Sequence, residues 1–100
     1  MAASWTYILL CSDGSYYTGC TTNLLQRFGQ HQAGDFDGYT AARRPVTMVW
    51  SEEFPSLDQA IDWERRLKRW SRKKKEAVIR GEFELLPRLS KKGYKPSTSS

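Results

Sequence analysis

Trp5-Thr6-Tyr7-Ile8-Leu9-Leu10-Cys11-Ser12-Asp13-Gly14-Ser15-Tyr16-Tyr17-Thr18-Gly19-Cys20 decides the fold. Two runs rich in β-formers, 5–11 and 15–20, flank the turn signal Ser12-Asp13-Gly14-Ser15, so the stretch reads as a hairpin. Loop length then decides which side chains meet. A two-residue turn at Asp13-Gly14 would pair residues whose numbers sum to 27 and send Tyr7 and Tyr17 to opposite faces. A three-residue loop with Gly14 in the left-handed position makes the sum even and puts both phenols on one face. That register also keeps Cys11 and Cys20 from being paired neighbours, which argues against a disulfide.

Downstream of the hairpin, Thr22-Asn23 offers helix-capping chemistry. Leu24, Leu25, Phe28 and His31 keep helical spacing to about Gln32 or Ala33, and Gly34-Asp35-Phe36-Asp37-Gly38 ends that helix. Residues from Tyr39 to Pro45 read as irregular, and 46–52 as a third strand with Pro45 at its start. Ser56-Leu57-Asp58-Gln59 is a capping box. Leu57, Ala60, Ile61, Glu64 and Leu67 then form one stripe of a helix ending near Trp70. Ser71 caps a further helix carrying Ala77, Val78 and Ile79 and stopped by Gly81. The fold class expected is α+β: a three-stranded antiparallel sheet flanked by helices. One domain is expected over 1–89, with 82–89 docking loosely through Phe83, Leu85 and Leu86, and 90–100 as a disordered tail.

The chain carries +5 overall, but the charge is unevenly placed. Residues 1–64 hold three basic and eight acidic side chains, whereas 65–100 hold thirteen basic and three acidic. The run Arg65 to Lys75 contains eight Lys/Arg and no acid. A block of that kind is an electrostatic footprint for a polyanion, the alternative being a solvated helix face. One His and two separated Cys cannot build a structural zinc site. No signal peptide and no apolar run near the roughly 20 residues of a membrane span are expected, so the default location is cytoplasmic, with no membrane partner.

Five residues carry the chemistry. Glu64 interrupts a stripe meant for the core, where an unpaired carboxylate is costly. It pairs with Arg27 or another base, is neutral, or binds a metal at a cleft; one carboxylate with waters and phosphate oxygens is an ordinary way to hold Mg²⁺. Arg27 and His31 share a helix face at i, i+4. Arg27 there suits a two-pronged phosphate contact, or lays its stem on the core with its head in water. His31 is either a satisfied structural residue or a proton carrier. Tyr7 and Tyr17 are strand aromatics, or phenols made useful by a neighbouring cation.

Taken together these residues resemble the GIY-YIG endonuclease superfamily. Trp5-Thr6-Tyr7 corresponds to its first motif, Tyr17-Thr18-Gly19 to its second, the helix Asn23 to His31 to its arginine helix, and Glu64 to its metal-binding glutamate. Cys11-Ser12-Asp13-Gly14, Gly38-Tyr39-Thr40, Arg43-Arg44-Pro45-Val46 and the run from Glu64 to Lys75 are similar to the small single-domain YhbQ-like (UPF0213) branch. Trp5 and Thr6 stand where the family name has Gly and Ile, and Thr18 replaces the second Ile. Both tyrosines and Gly19 remain.

The resemblance implies a GIY-YIG nuclease-like α/β sandwich, a single divalent cation (Mg²⁺ or Mn²⁺), no small-molecule cofactor, and hydrolysis of DNA phosphodiesters in repair or processing. Tyr17 is the leading candidate to position or deprotonate water, with Tyr7 in support. Arg27 stabilises the transition state, Glu64 holds the metal, and His31 relays a proton or fixes a tyrosine. Arg65, Arg66, Lys68, Arg69, Lys73, Lys74 and Lys75 are expected to track the phosphate backbone, with Arg43 and Arg44 gripping the opposite rim. The competing expectations are a module that binds DNA or RNA with little or no cleavage, and an interaction protein whose site residues are structural.

Overall fold

In the computed structural model, which describes residues 3–81, the hairpin closes through a three-residue loop. The Cys11 N–H donates to the Ser15 carbonyl at 2.8 Å and the Gly14 N–H to the Cys11 carbonyl at 2.9 Å. Gly14 takes φ of 87°, the left-handed region that only glycine enters freely. The strands β1 (Ser4–Leu10) and β2 (Tyr16–Thr21) therefore pair with Tyr7 opposite Gly19 and Leu9 opposite Tyr17, the even register expected. Both phenols share one face, with ring centroids 6.4 Å apart. Both cysteines are free.

A third strand, β3 (Thr47–Phe54), pairs antiparallel on the other side of β1, giving the order β2-β1-β3. It runs two residues further than the sequence reading placed it. The odd face of β1 meets α1 (Leu24–Ala33): Tyr7, Leu9, Cys11 and Val46 form the buried cluster, with Tyr17, Leu24, Phe28 and Met48 packed against it. Asn23 caps α1 by accepting from the Gln26 N–H, and Gly34 ends it at φ of 79°. Against the opposite face of β1 and β2 lies α3 (Leu57–Arg69), where the Thr6 hydroxyl donates to the Ala60 carbonyl at 2.7 Å. Ala60 and Leu67 are buried, but Leu57, the first residue of the helix, is exposed, so the buried stripe starts one turn later than expected.

The segment expected to be irregular instead holds a one-turn helix, α2 (Gly38–Ala41). Asp37 builds it: its side chain accepts from the Tyr39 N–H at 2.7 Å. Four residues are too few to show an apolar period, which is why periodicity did not find it.

Two compact units are distinguished, the first ending at Arg69 and the second beginning at Trp70. The second contains α4 (Arg72–Ile79), capped by the Ser71 hydroxyl and followed by Gly81 at φ of 78°. Within it Arg72 pairs with Glu76 at 3.1 Å, and Ala77 and Val78 are buried. The expected docking of 82–89 and the tail from residue 90 lie outside the described residues. No described helix is long and apolar enough to cross a membrane.

Candidate active site

Tyr7 sits on the central strand, fully buried, directly opposite Gly19. The missing side chain at Gly19 makes room for the phenol: a Cβ there would lie 2.6 Å from the Tyr7 hydroxyl and 3.2 Å from the Tyr17 ring. The hydroxyl meets His31 Nε2 at 2.9 Å. On its other side the ring meets Thr40, with Nδ1 at 2.8 Å from Oγ1. Thr40 in turn donates to the Asp37 carbonyl at 3.2 Å.

Satisfying every buried polar atom sets the direction of this chain. The Asp37 carbonyl can only accept, so the Thr40 proton goes to it and Thr40 Oγ1 receives Nδ1–H. That leaves Nε2 unprotonated, to accept from the Tyr7 hydroxyl. The opposite tautomer would leave the Tyr7 proton without the His31 acceptor, whereas the Asp37 carbonyl would keep the Ala41 N–H at 2.8 Å. Burial, aided by the nearby Arg27 charge, lowers the His31 pKa from its usual 6.5, which keeps the ring neutral at pH 7. Burial pushes the Tyr7 phenol up to about 12, and Arg27 opposes that rise through hydrogen bonding and charge.

Tyr17 has a different environment. Its hydroxyl donates to the Asp37 carboxylate at 3.4 Å, and its ring lies 5.0 Å from His31 and 6.2 Å from Tyr39. Burial raises its pKa, with the charges of Tyr7, Asp37 and Glu64 adding to the effect.

Arg27 lies at the open edge of the sheet. Its Nη1 donates to the Cys20 carbonyl at 3.3 Å, and its guanidinium sits 3.9 Å from the Phe36 ring centroid. Glu64 approaches the same strand from α3. One oxygen pairs with Lys68 at 3.0 Å and the other accepts from the Cys20 thiol at 3.7 Å, with the side chain 19% exposed. Cys20 therefore joins the two halves of the site, its carbonyl holding Arg27 and its thiol touching Glu64. Burial raises that thiol's pKa, with the Glu64 charge reinforcing it.

The other expected cations divide. Arg43 does not form a free rim: it pairs with Asp13 at 2.9 Å, donates to the Tyr39 carbonyl and stacks on the Tyr39 ring at 3.8 Å. Arg44 donates to the Ala41 and Gln32 carbonyls and packs on Gly34. Both are engaged in holding the α1–α2 connection, because the carbonyls and carboxylate of that tight segment need donors. Arg66 pairs with Asp62 at 2.9 Å, and Lys68 is the partner of Glu64. Arg65 and Arg69 are exposed. Lys73, Lys74 and Lys75 lie on α4, with the Lys74 ammonium 4.5 Å from the Trp70 ring centroid.

Sequence reasoning missed Cys20, Asp37 and Thr40. The signal for the last two was present: Asp37 before Gly38-Tyr39-Thr40 is an N-cap in front of a single turn. Among the described residues no group of three His, Cys, Asp or Glu side chains is gathered to hold a metal ion. Glu64 still fits a Mg²⁺ or Mn²⁺ ion that is otherwise ligated by water and phosphate oxygens. Its carboxylate is partly exposed, and its ion-pair partner is a long, half-exposed lysine that can move aside.

A family model described as the GIY-YIG catalytic domain matches residues 3–77. A UPF0213 protein of Halobacterium salinarum is 47% identical over 73 residues, covering 73% of this chain and 95% of that protein. A UPF0213 protein of Halalkalibacterium halodurans is 40% identical over 89 residues, covering 86% and 95%. The solution NMR structure of a UPF0213 protein from Bacillus halodurans is similar, with a TM-score of 0.54 at 35% identity over 93% of this chain and 99% of that one. That of an E. faecalis protein gives a TM-score of 0.59 at 38% identity, covering 85% and 90%.

Proposed function

The chain belongs to the GIY-YIG catalytic-domain family, among the UPF0213 proteins, and from that premise we propose that it hydrolyses DNA phosphodiester bonds with one divalent cation. The observation that carries this reading is the Tyr7–His31 pair. A phenol whose proton already points at a neutral imidazole can take a proton from water and pass its own on. In the proposed step a water proton moves to the Tyr7 oxygen as the Tyr7 proton moves to His31 Nε2. The water oxygen then bonds phosphorus, the bond from phosphorus to the leaving oxygen breaks, that oxygen takes a proton from solvent, and His31 later gives up its extra proton through Tyr7. Arg27 stabilises the charge gathering on the phosphoryl oxygens. Tyr17, whose one proton goes to Asp37, can accept a hydrogen bond from water and so orient it. Mg²⁺ or Mn²⁺ held by Glu64 would supply positive charge to the phosphate and the leaving group. Arg65 and Arg69, with Lys73, Lys74 and Lys75, would add salt-sensitive, sequence-independent attraction to the backbone.

The test is a cleavage screen over duplex, flap and single-stranded DNA, and RNA, with Mg²⁺ and Mn²⁺. Glu64→Ala, Arg27→Ala and Tyr7→Phe should each lower kcat by about a hundredfold or more. Cleavage undiminished in Glu64→Ala and Arg27→Ala would refute the assignment. One observation favours a binding module with little cleavage: Lys68 holds the carboxylate of Glu64. On that second reading DNA binds with undiminished affinity in Glu64→Ala, and no substrate is cut by the native chain.

A further inference from the structure

The hydrogen bonds of both phenols end at one residue. The Tyr17 hydroxyl donates to Asp37 Oδ2 at 3.4 Å. The chain from Tyr7 through His31 and Thr40 ends on the Asp37 carbonyl at 3.2 Å. The other carboxylate oxygen, Oδ1, accepts the Tyr39 N–H and so caps the one-turn helix that presents Thr40 to His31. Asp37 touches neither Arg27 nor Glu64 in any of these contacts; it reaches the site through Tyr17, through Thr40 and His31, and through its charge near His31.

We propose that Asp37 is a positioning residue that fixes both tyrosines at once, its carboxylate orienting the Tyr17 hydroxyl and its helical turn holding His31 in the tautomer that accepts from Tyr7. The inference rests on the nuclease reading for its kinetic consequence, but its geometric content stands apart from that reading. The two branches have different chemical requirements. The Tyr17 branch needs a charged acceptor, because a carboxylate binds a phenol more strongly than an amide does. The His31 branch needs only a cap for α2, and asparagine caps as well as aspartate.

Two variants of the full chain separate the branches. Asp37→Asn keeps the cap and alters only the acceptor facing Tyr17. Asp37→Ala removes both. With ¹⁵N-labelled histidine and ¹³C-labelled tyrosine, the His31 nitrogen shifts report the tautomer and the Tyr17 Cζ shift reports its hydroxyl partner. Asp37→Asn should move the Tyr17 resonance and leave His31 at its native shifts. Asp37→Ala should move both. In cleavage assays kcat should fall about tenfold in Asp37→Asn and about a hundredfold in Asp37→Ala, with KM changed less than about twofold, since misplacement near 1 Å has effects of this size. Native Tyr17 and His31 resonances in folded Asp37→Ala would overturn the proposal. If the native chain cuts nothing, the nuclease reading falls, while the two resonances still decide the role of Asp37.

Discussion

Gly19→Ala is the sharpest test of how the site is packed. A Cβ at this position would stand 2.6 Å from the Tyr7 hydroxyl and 2.8 Å from its ring carbon, against the 3.4 Å at which ordinary contact begins. The phenol must therefore retreat by about 0.8 Å. It cannot do so freely, because Tyr7 is fully buried and its hydroxyl is tied to His31 at 2.9 Å. Overpacking of this kind costs about 1–3 kcal/mol. The loss of glycine's freedom in the unfolded chain offsets about 0.4–1 kcal/mol of that. A net loss of about 1–2 kcal/mol should lower the melting temperature by about 5–15 °C for a domain of this size. On the proposed mechanism, a shift near 1 Å in Tyr7 should also lower kcat by about a hundredfold. Thermal unfolding by circular dichroism and single-turnover cleavage read the two effects separately. A variant that melts within about 2 °C of the native chain and cuts DNA at the native rate would refute the close approach of Tyr7 to Gly19.

Stability should also depend on pH through His31. Its folded pKa lies below the unfolded value of 6.5, so the unfolded chain binds the extra proton more readily. The contribution is complete above about pH 6.5 and is lost as pH falls towards the lowered folded value; melting curves between pH 5 and 8 should show the decline and His31→Asn should flatten it. Thr18 gives the opposite kind of test. Its hydroxyl is buried without a hydrogen-bond partner among the described residues, so Thr18→Val, which keeps the shape, should stabilise the fold by about 1 kcal/mol, read as a rise of about 4–8 °C in melting temperature.

The hairpin was legible but its register only in part: Gly14 serves either a two- or a three-residue loop, and only the three-residue loop found puts Tyr7 and Tyr17 together. Glu64 was legible because a carboxylate violates the apolar stripe around it. The fates of Arg43 and Arg44 were not legible, since a guanidinium's partners (here Asp13, Tyr39, Ala41 and Gln32) are set by how a loop folds back. Lys68 was readable by spacing, four residues after Glu64, but the density of charge around it pointed to a phosphate-tracking face instead. Asp37 and Thr40 were hidden because a single helical turn has no period, and a cap residue looks like any loop aspartate until the turn it starts is known.

The placement of these groups also predicts which functions can be separated from folding. Tyr7 and His31 are fully buried and belong to the core as much as to the site, so any change there perturbs packing together with the proposed chemistry. Glu64 and Arg27 sit at the edge of β2, where Glu64 keeps 19% of its side chain exposed and its partner Lys68 is half in water. An ion pair so placed contributes little to stability. The sheet thus separates the site by burial, with Tyr7, His31 and Thr40 inside on β1, α1 and α2 and Arg27 and Glu64 at the rim on α1 and α3. Removing the rim charges should leave a folded, inactive protein. Altering the interior pair cannot do so cleanly, because the hydroxyl that would receive the water proton is packed by the same contacts that hold the sheet against α1.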